Sequence, residues 1–394
     1  MNPLDCIVIG AGHAGIHAVK EIRNQALRGE IDRPVRLLLI DKNPHHLRKV
    51  LLFKPAVTDE EIRIPLSRLF PDGVEIVQGA VTGILAEEKK IRFADASGAE
   101  RTRKYDILVV AAGSTVRTPE PRQGGLPLAS LEDALAIRER WRTNLKQAAA
   151  EADPLERSRL MTIAVAGAGI SGIETSAELA YHARQDAERL GLDPNDLKIV
   201  LYNANERLFP QGPEKVAARL EQILTNGGVV VKHGCRVLQE ADGVLHLSKG
   251  EPLPVGLCVW TLGLAPNAVV GQWGLPLTAD GFVEVDASYR VPGYPGVYSI
   301  GDCAKVIDPR TGLADGMTCK EAVPQAARLG KIIAADLSGR QAPIHSGYME
   351  TFCIGLGPEK GLAWVRKWGL DFVIAGKPGL RIKQYVWNLA SMIK

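Results

Sequence analysis

Residues 162–179 read TIAVAGAGISGIETSAEL. A short apolar run, Thr162–Ala166, enters Gly167-Ala-Gly169-Ile-Ser-Gly172, and a segment of helical period follows. Strand, glycine turn and helix in that order place a dinucleotide pyrophosphate on a helix N-terminus. One copy is a weak signal. Residues 6–19, CIVIGAGHAGIHAV, repeat the device with Gly10, Gly12 and Gly15. Two copies in one chain predict two dinucleotides, and the economical use of two is to pass electrons between them.

Working outward from the first copy, a helix is expected to about Leu27 and a fully apolar parallel strand over 35–40 (VRLLLI). Asp41 ends that strand, 26 residues beyond Gly15, where a carboxylate accepts ribose hydroxyls. Residues 43–57 read as irregular and basic. The two-nucleotide disulfide reductases carry a cysteine pair in this region, whereas this chain has none there. Lys54 is a candidate to reach the flavin and stabilise its reduced form. His13 and His17 have an i,i+4 spacing without an acid between them, which argues against a metal site, and His45 and His46 read as loop packing.

Residues 74–84, 90–93 and 101–103 predict an antiparallel meander that turns at Gly98, with the Val81 backbone placed to touch an adenine. A buried strand then ends in the small residues Ala112 and Gly113, leaving room for a cofactor. Ser130 opens a charged helix to about 152. In the second copy, Glu174 is read in the first helical turn, facing the nucleotide. The strand over 198–202 ends at Asn203 where an acid is expected for NADH. A 2′-phosphate is not repelled there and Arg207 could receive it, so NADH and NADPH both remain open. Residues 297–300 lead into Gly301-Asp302, with Asp302 set to bind a ribityl hydroxyl. A helix over 321–337 follows, with Pro324 in its first turn and its N-terminus offering positive charge to the flavin.

Composition is ordinary: 46% hydrophobic, 24% charged, net charge +3. That balance does not suggest nucleic acid. No apolar run reaches the roughly 18 residues of a membrane span, and no signal peptide is read at the start. Six scattered cysteines without C-x-x-C spacing read as reduced thiols of a cytoplasmic protein. Near the C-terminus, Ile382, Tyr385, Val386, Leu389 and Ile393 fall at helical spacing. Residues 380–394 therefore suit either peripheral contact with the inner face of a membrane or packing, including a homodimer.

IVIGAGHAG, IRIPLSRLF, VQGAVTGI, YDILVVAAGS, GAGISGIETSAEL, WTLGLAPN and VYSIGDCA together resemble the type II NADH dehydrogenases and the apoptosis-inducing-factor-like quinone reductases. These belong to the pyridine nucleotide-disulfide reductase superfamily, here without the redox-active cysteine pair. The resemblance implies an α/β fold of two Rossmann-like domains, the glutathione-reductase-like two-nucleotide fold, plus a short C-terminal segment. The expected division is 1–118 with 280–340 for FAD, 119–279 for NAD(P)H, and 341–394 as an interface or membrane-contact segment.

By the same resemblance, Gly10, Gly12, Gly15, Asp41, Lys54, Val81, Ala112, Gly113, Gly301 and Asp302 contact FAD. Gly167, Gly169, Gly172, Glu174, Asn203 and Gly263 contact NAD(P)H. Gln325 and Ala326 approach the flavin and the acceptor, and Lys54, Glu174 and Gln325 are the catalytic candidates. The implied activity takes hydride from NAD(P)H onto FAD and passes electrons to a quinone-like acceptor. Two alternatives stand beside it: reduction of a ferredoxin-like protein or small metabolite, and a redox-responsive NAD(P)H/FAD-binding protein.

Overall fold

The strand over Leu4–Ile9 is buried on both faces because it is the middle of a sheet. The computed structural model describes residues 2–393. In the first unit Leu4–Ile9 pairs in parallel with Val35–Asp41 on one side and Ile107–Val110 on the other. Glu75–Leu85 and Val297–Ser299 extend the parallel sheet outward. Lys90–Asp95 and Glu100–Lys104 add the expected antiparallel meander. The chain leaves Leu4–Ile9 in both directions, so its C-terminal end is the topological switch point where α/β sheets hold ligands. The helix His13–Leu27 starts there. It packs on the helix Cys319–Leu337, where a Cβ on Gly330 would come within 3.1 Å of the Glu21 carbonyl oxygen.

The second unit repeats the plan. Thr162–Ala166 lies between Lys198–Tyr202 and Leu257–Trp260, with Val229–Lys232 and Leu126–Pro127 at the edges, all parallel. The helix Ile170–Arg189 leaves its switch point. The chain crosses between units through two strands, Ser114–Val116 and Leu264–Pro266, which pair antiparallel with each other. Their flanks are equivalent: Arg117 N–H donates to the Gly263 carbonyl at 2.9 Å, and Asn267 N–H to the Gly113 carbonyl at 3.1 Å.

Three sequence expectations need correction. Residues 268–279 were assigned to the second unit, but Val270, Trp273 and Leu275 pack with Ile9, Val81 and Val110 of the first. The helix placed at 321–337 begins at Cys319, so Pro324 lies beyond the first turn. The C-terminal segment is not one short helix. Thr351–Gly355, Gly361–Lys367 and Leu370–Gly376 form an antiparallel sheet, and the helix Lys377–Ala390 packs behind it. Ile354, Trp364 and Trp387 of this segment join the core of the second unit, together with Leu51, Phe53 and Ile62.

Candidate functional site

Both glycine turns use their three glycines in the same three ways. Gly10 has φ +98° and Gly167 φ +116°, conformations that an L side chain resists. A Cβ at Gly15 would lie 1.8 Å from the Gly10 carbonyl oxygen, and one at Gly172 would lie 1.8 Å from that of Gly167. These residues let helix and strand touch. Gly12 and Gly169 are different: they have ordinary extended backbones, and a Cβ on either would meet no protein atom within 4 Å. Packing does not require glycine at these two positions. Open space over the backbone does, and that is what a pyrophosphate needs.

The helices concur. Neither Gly12 nor Gly169 caps its helix through a side chain, and neither first turn contains an acid. Their N-terminal N–H groups therefore remain available to an anion. The helix at Cys319 is the contrast. Thr318 and Glu321 close a reciprocal capping box over its start, so its positive end is partly neutralised by its own sequence.

Around the first turn, the Asp41 carboxylate accepts from the backbone N–H groups of Ala11 (2.7 Å) and Asn43 (2.8 Å). His46 is buried and donates from Nδ1 to the Ala11 carbonyl at 2.8 Å. Burial pushes its pKa down to about 4, so it is neutral at pH 7. Ala112 and Gly113 are held through their carbonyls by the side chain and backbone of Asn267. Gly113 and Gly263, at φ +68° and +84°, are both open where a Cβ would stand. Gly301 lies against the first helix, where a Cβ would be 2.7 Å from that of Ala14. Asp302 accepts from the Ser114 hydroxyl at 2.7 Å, and Lys49 Nζ donates to the Ser114 carbonyl at 2.7 Å. Burial raises the Asp302 carboxyl and lowers the Lys49 ammonium from their ordinary values. The first unit thus gathers Gly10, Gly12, Gly15, Asp41, Ala112, Gly113, Gly301 and Asp302 at one sheet end, a donor and acceptor set that fits FAD. Lys49, Ser114 and His46 were not anticipated as site residues; the signal for Lys49 and His46 was the basic, irregular 43–57 stretch, and for Ser114 its place directly after Ala112-Gly113.

Three expected site residues are engaged by other partners. Lys54 is not free for a flavin: its Nζ is 2.6 Å from Glu178 on the second unit's helix. Burial works against an ionised Glu178, yet His182 and Lys54 together hold it below the usual carboxylate range. Glu174 is the fifth residue of its helix, not part of the first turn, and turns to the C-terminal segment. It accepts from Lys383 Nζ at 2.9 Å and Gly355 N–H at 2.8 Å. Burial raises its carboxyl despite both partners. Val81 packs in the core, and its carbonyl already accepts from the Trp273 indole at 3.1 Å.

Gln325 is 2% exposed, with both ends of its amide engaged. Its oxygen accepts from Gly301 N–H (2.7 Å) and its nitrogen donates to Asp315 (2.6 Å), while Ala326 is fully buried beside it. Gln325 positions the Gly301-Asp302 turn. Gln325→Leu leaves the buried Gly301 N–H without a partner, at about 1–3 kcal/mol, and strips one oxygen of Asp315, whose other oxygen keeps His345 at 3.3 Å. The expected result is a lower melting temperature and faster flavin dissociation on dilution, read by the rise of free-flavin fluorescence.

Beside the second glycine turn, Asn203 is buried and takes the place Asp41 has in the first. Its Oδ1 accepts from Asn205 N–H at 3.1 Å, as Asp41 does from Asn43. Arg207 cannot receive a phosphate in this arrangement, because its guanidinium is bound to the carbonyls of Phe209, Pro210 and Gly212. His233, His17 and His13 complete the histidines near the two turns. His17 lies 3.0 Å from the Ala390 carbonyl, and His13 packs edge-on to His46.

Three comparisons agree with this geometry. The profile of the pyridine nucleotide-disulphide oxidoreductase family matches residues 4–326. Among curated proteins, the type II NADH:quinone oxidoreductase Ndh of Mycobacterium tuberculosis is 28% identical over 84% of this chain and 73% of its own length. The type II NADH:quinone oxidoreductase of Staphylococcus aureus is 24% identical over 96% and 93%. Among solved structures, NDH2 of Plasmodium falciparum in complex with NADH superposes with a TM-score of 0.81, at 15% identity, over 99% of this chain and 97% of that one.

Proposed function

The chain belongs to the pyridine nucleotide-disulphide oxidoreductase family, and from that premise we propose that it is an FAD-dependent NAD(P)H:quinone oxidoreductase. One observation carries the reading: a single chain holds two open, uncapped glycine turns on units joined by two short paired strands. The relatives named for quinone reduction supply the acceptor class. Bound FAD would supply the redox chemistry that links hydride donation by the nicotinamide to reduction of the quinone. The chain's part is placement. Gly12 and the His13 helix hold one pyrophosphate, Gly169 and the Ile170 helix the other. Asp41 takes the flavin's adenosine hydroxyls, while Gly113 and Gly263 leave the backbone bare between the units. The six cysteines of the chain are all free thiols, which favours delivery of electrons directly to an external acceptor.

The same reading assigns membrane contact to the C-terminal segment. Among the described residues no helix is long and apolar enough to cross a membrane. The helix Lys377–Ala390 buries Leu380, Lys383, Trp387 and Ala390, so the apolar stripe anticipated from sequence is not its inward face: Tyr385 is 68% and Leu389 51% exposed, and Ile382 and Val386 are half-buried. Trp368 in the preceding turn and Leu370, Phe372 and Ile374 of the edge strand are exposed too, beside the exposed cations Lys367, Lys377 and Arg381. Aromatic and aliphatic groups among lysines and arginines suit an anionic lipid surface. Co-sedimentation with anionic vesicles, weakened by Trp368→Ser with Phe372→Ser, is expected. A concentration-dependent dimer without vesicle binding would give the face to a second copy.

The activity is tested on the purified protein by its visible spectrum and anaerobic titration with NADH or NADPH. Bleaching by either, followed by return of colour on adding a soluble quinone, is expected. A protein that carries no flavin, or whose flavin stays oxidised, would overturn the reading.

A further inference from the structure

The adenosine end of the second nucleotide site contains a proton-ordering arrangement that the first lacks. Asn205 contributes a backbone N–H, which can only donate, so it fixes Asn203 Oδ1 on its side. The Asn203 amide nitrogen is thereby turned to His233 Nδ1, 2.9 Å away. That ring nitrogen must accept. The ring's single proton then sits on Nε2, 3.0 Å from Glu221 on the helix Glu214–Asn226. The network is satisfied only with a neutral imidazole in this one tautomer. A second proton, on Nδ1, would set two donors against each other across 2.9 Å. An anion inserted between them would accept from both.

We propose that His233, with Asn203, determines which nicotinamide nucleotide this protein takes: the 2′-phosphate of NADPH binds between Asn203 Nδ2 and His233 Nδ1 with uptake of one proton, whereas NADH binds without it. The proposal rests on the reading of the second glycine turn as a nicotinamide nucleotide site. In the first unit, Asp41 stands at this position and its negative charge would repel a phosphate; in the second, the amide does not. Glu221 faces the opposite edge of the ring and stabilises the cation. Glu206 lies against Gly234, Lys232 and Arg236 flank the histidine on its own stretch, and Arg207 is committed to its own loop. His233 is thus the group here that can gain a positive charge toward the phosphate by taking up a proton. A gain in NADPH use as the pH falls follows, down to about pH 6, where the 2′-phosphate itself begins to take up a proton.

The test is binding, independent of turnover. Adenosine 2′,5′-bisphosphate and 5′-AMP are titrated calorimetrically into the flavin-loaded protein at pH 8.5, 7.5 and 6.5, in two buffers of different ionisation enthalpy. The ratio of their dissociation constants is expected to move toward the bisphosphate by about 10-fold from pH 8.5 to 6.5. The calorimetry should show proton uptake for the bisphosphate only. His233→Gln, which can still accept from Asn203 but carries no charge, should flatten the ratio and abolish the uptake. Asn203→Asp should weaken the bisphosphate relative to 5′-AMP by at least about 10-fold at every pH. A flat ratio in the unaltered protein, or an unchanged slope in His233→Gln, would overturn the proposal. Binding of neither compound would overturn the nucleotide-site reading itself, and the proposal with it.

Discussion

Gly169→Asp is expected to give a folded, yellow protein whose flavin NADH no longer bleaches. The backbone at Gly169 is in a region open to any residue, and a Cβ there meets nothing within 4 Å. An aspartate at this position is a better helix cap than glycine, by a few tenths of a kcal/mol. The fold should therefore hold or gain slightly. The new carboxylate would occupy the N–H groups left free at the start of the Ile170 helix and repel the pyrophosphate. Loss of kcat/KM for NADH by at least about 1000-fold corresponds to roughly 4 kcal/mol. Gly12→Asp is the mirror experiment: the expected product is folded but colourless, with a melting temperature matching flavin-stripped protein rather than holoprotein. If either variant failed to fold, Gly12 and Gly169 would be needed for the turn alone and the open-cradle argument would fall. Gly15→Ala and Gly172→Ala are expected to disrupt their turns, because the added carbon would lie 1.8 Å from a carbonyl oxygen.

Lys383→Met is expected to be the most destabilising single change outside the glycine turns. Glu174 and Lys383 are 3% and 8% exposed, and the lysine also donates to the Cys353 carbonyl at 2.6 Å. Removing one partner of a buried pair leaves the other charged and uncompensated, at about 3–5 kcal/mol. The pH dependence has a definite sign. Burial already raises the Glu174 carboxyl, so the folded state holds that proton more tightly than the unfolded chain. Stability attached to this group is present at low pH and is lost as pH rises from the ordinary glutamate value, about 4.3, toward the raised one. Without Lys383 that raised value climbs further, so the deficit of Lys383→Met should shrink as the solution is acidified. Adding Glu174→Gln should recover most of the loss at pH 7.5. Thermal unfolding of the four proteins of this cycle at pH 5.5 and 7.5 checks both statements, and a deficit independent of pH would exclude the charge explanation.

Local signals carried far in this chain. Both glycine turns, Asp41, the meander around Gly98 and the open Gly113 and Gly263 were legible because each is set by neighbours a few residues away or by the strand-turn-helix order. Side-chain partnerships were not legible. Glu174 meets a lysine 209 residues later and Lys54 a glutamate 124 residues later, separations at which no periodicity speaks. The three strands over 351–376 were missed because their burial does not alternate. Gly361–Trp364 is buried continuously while Phe372–Ile374 is exposed continuously. A two-residue period requires one wet face and one dry face. The helix after them kept its apolar period but turned a different face inward, since Lys383 had to reach Glu174.

The crossing between units makes the second one an insertion. The chain leaves the first unit through Ser114–Val116 and returns through Leu264–Pro266, and the Arg117–Gly263 and Asn267–Gly113 bonds fasten the two passages together. A unit whose two ends lie side by side is entered and left at one point, so the host sheet closes around it unbroken. One of the two similar cradles presents an aspartate at its adenosine end, the other an asparagine beside a histidine, and that difference in charge gives the molecule a direction.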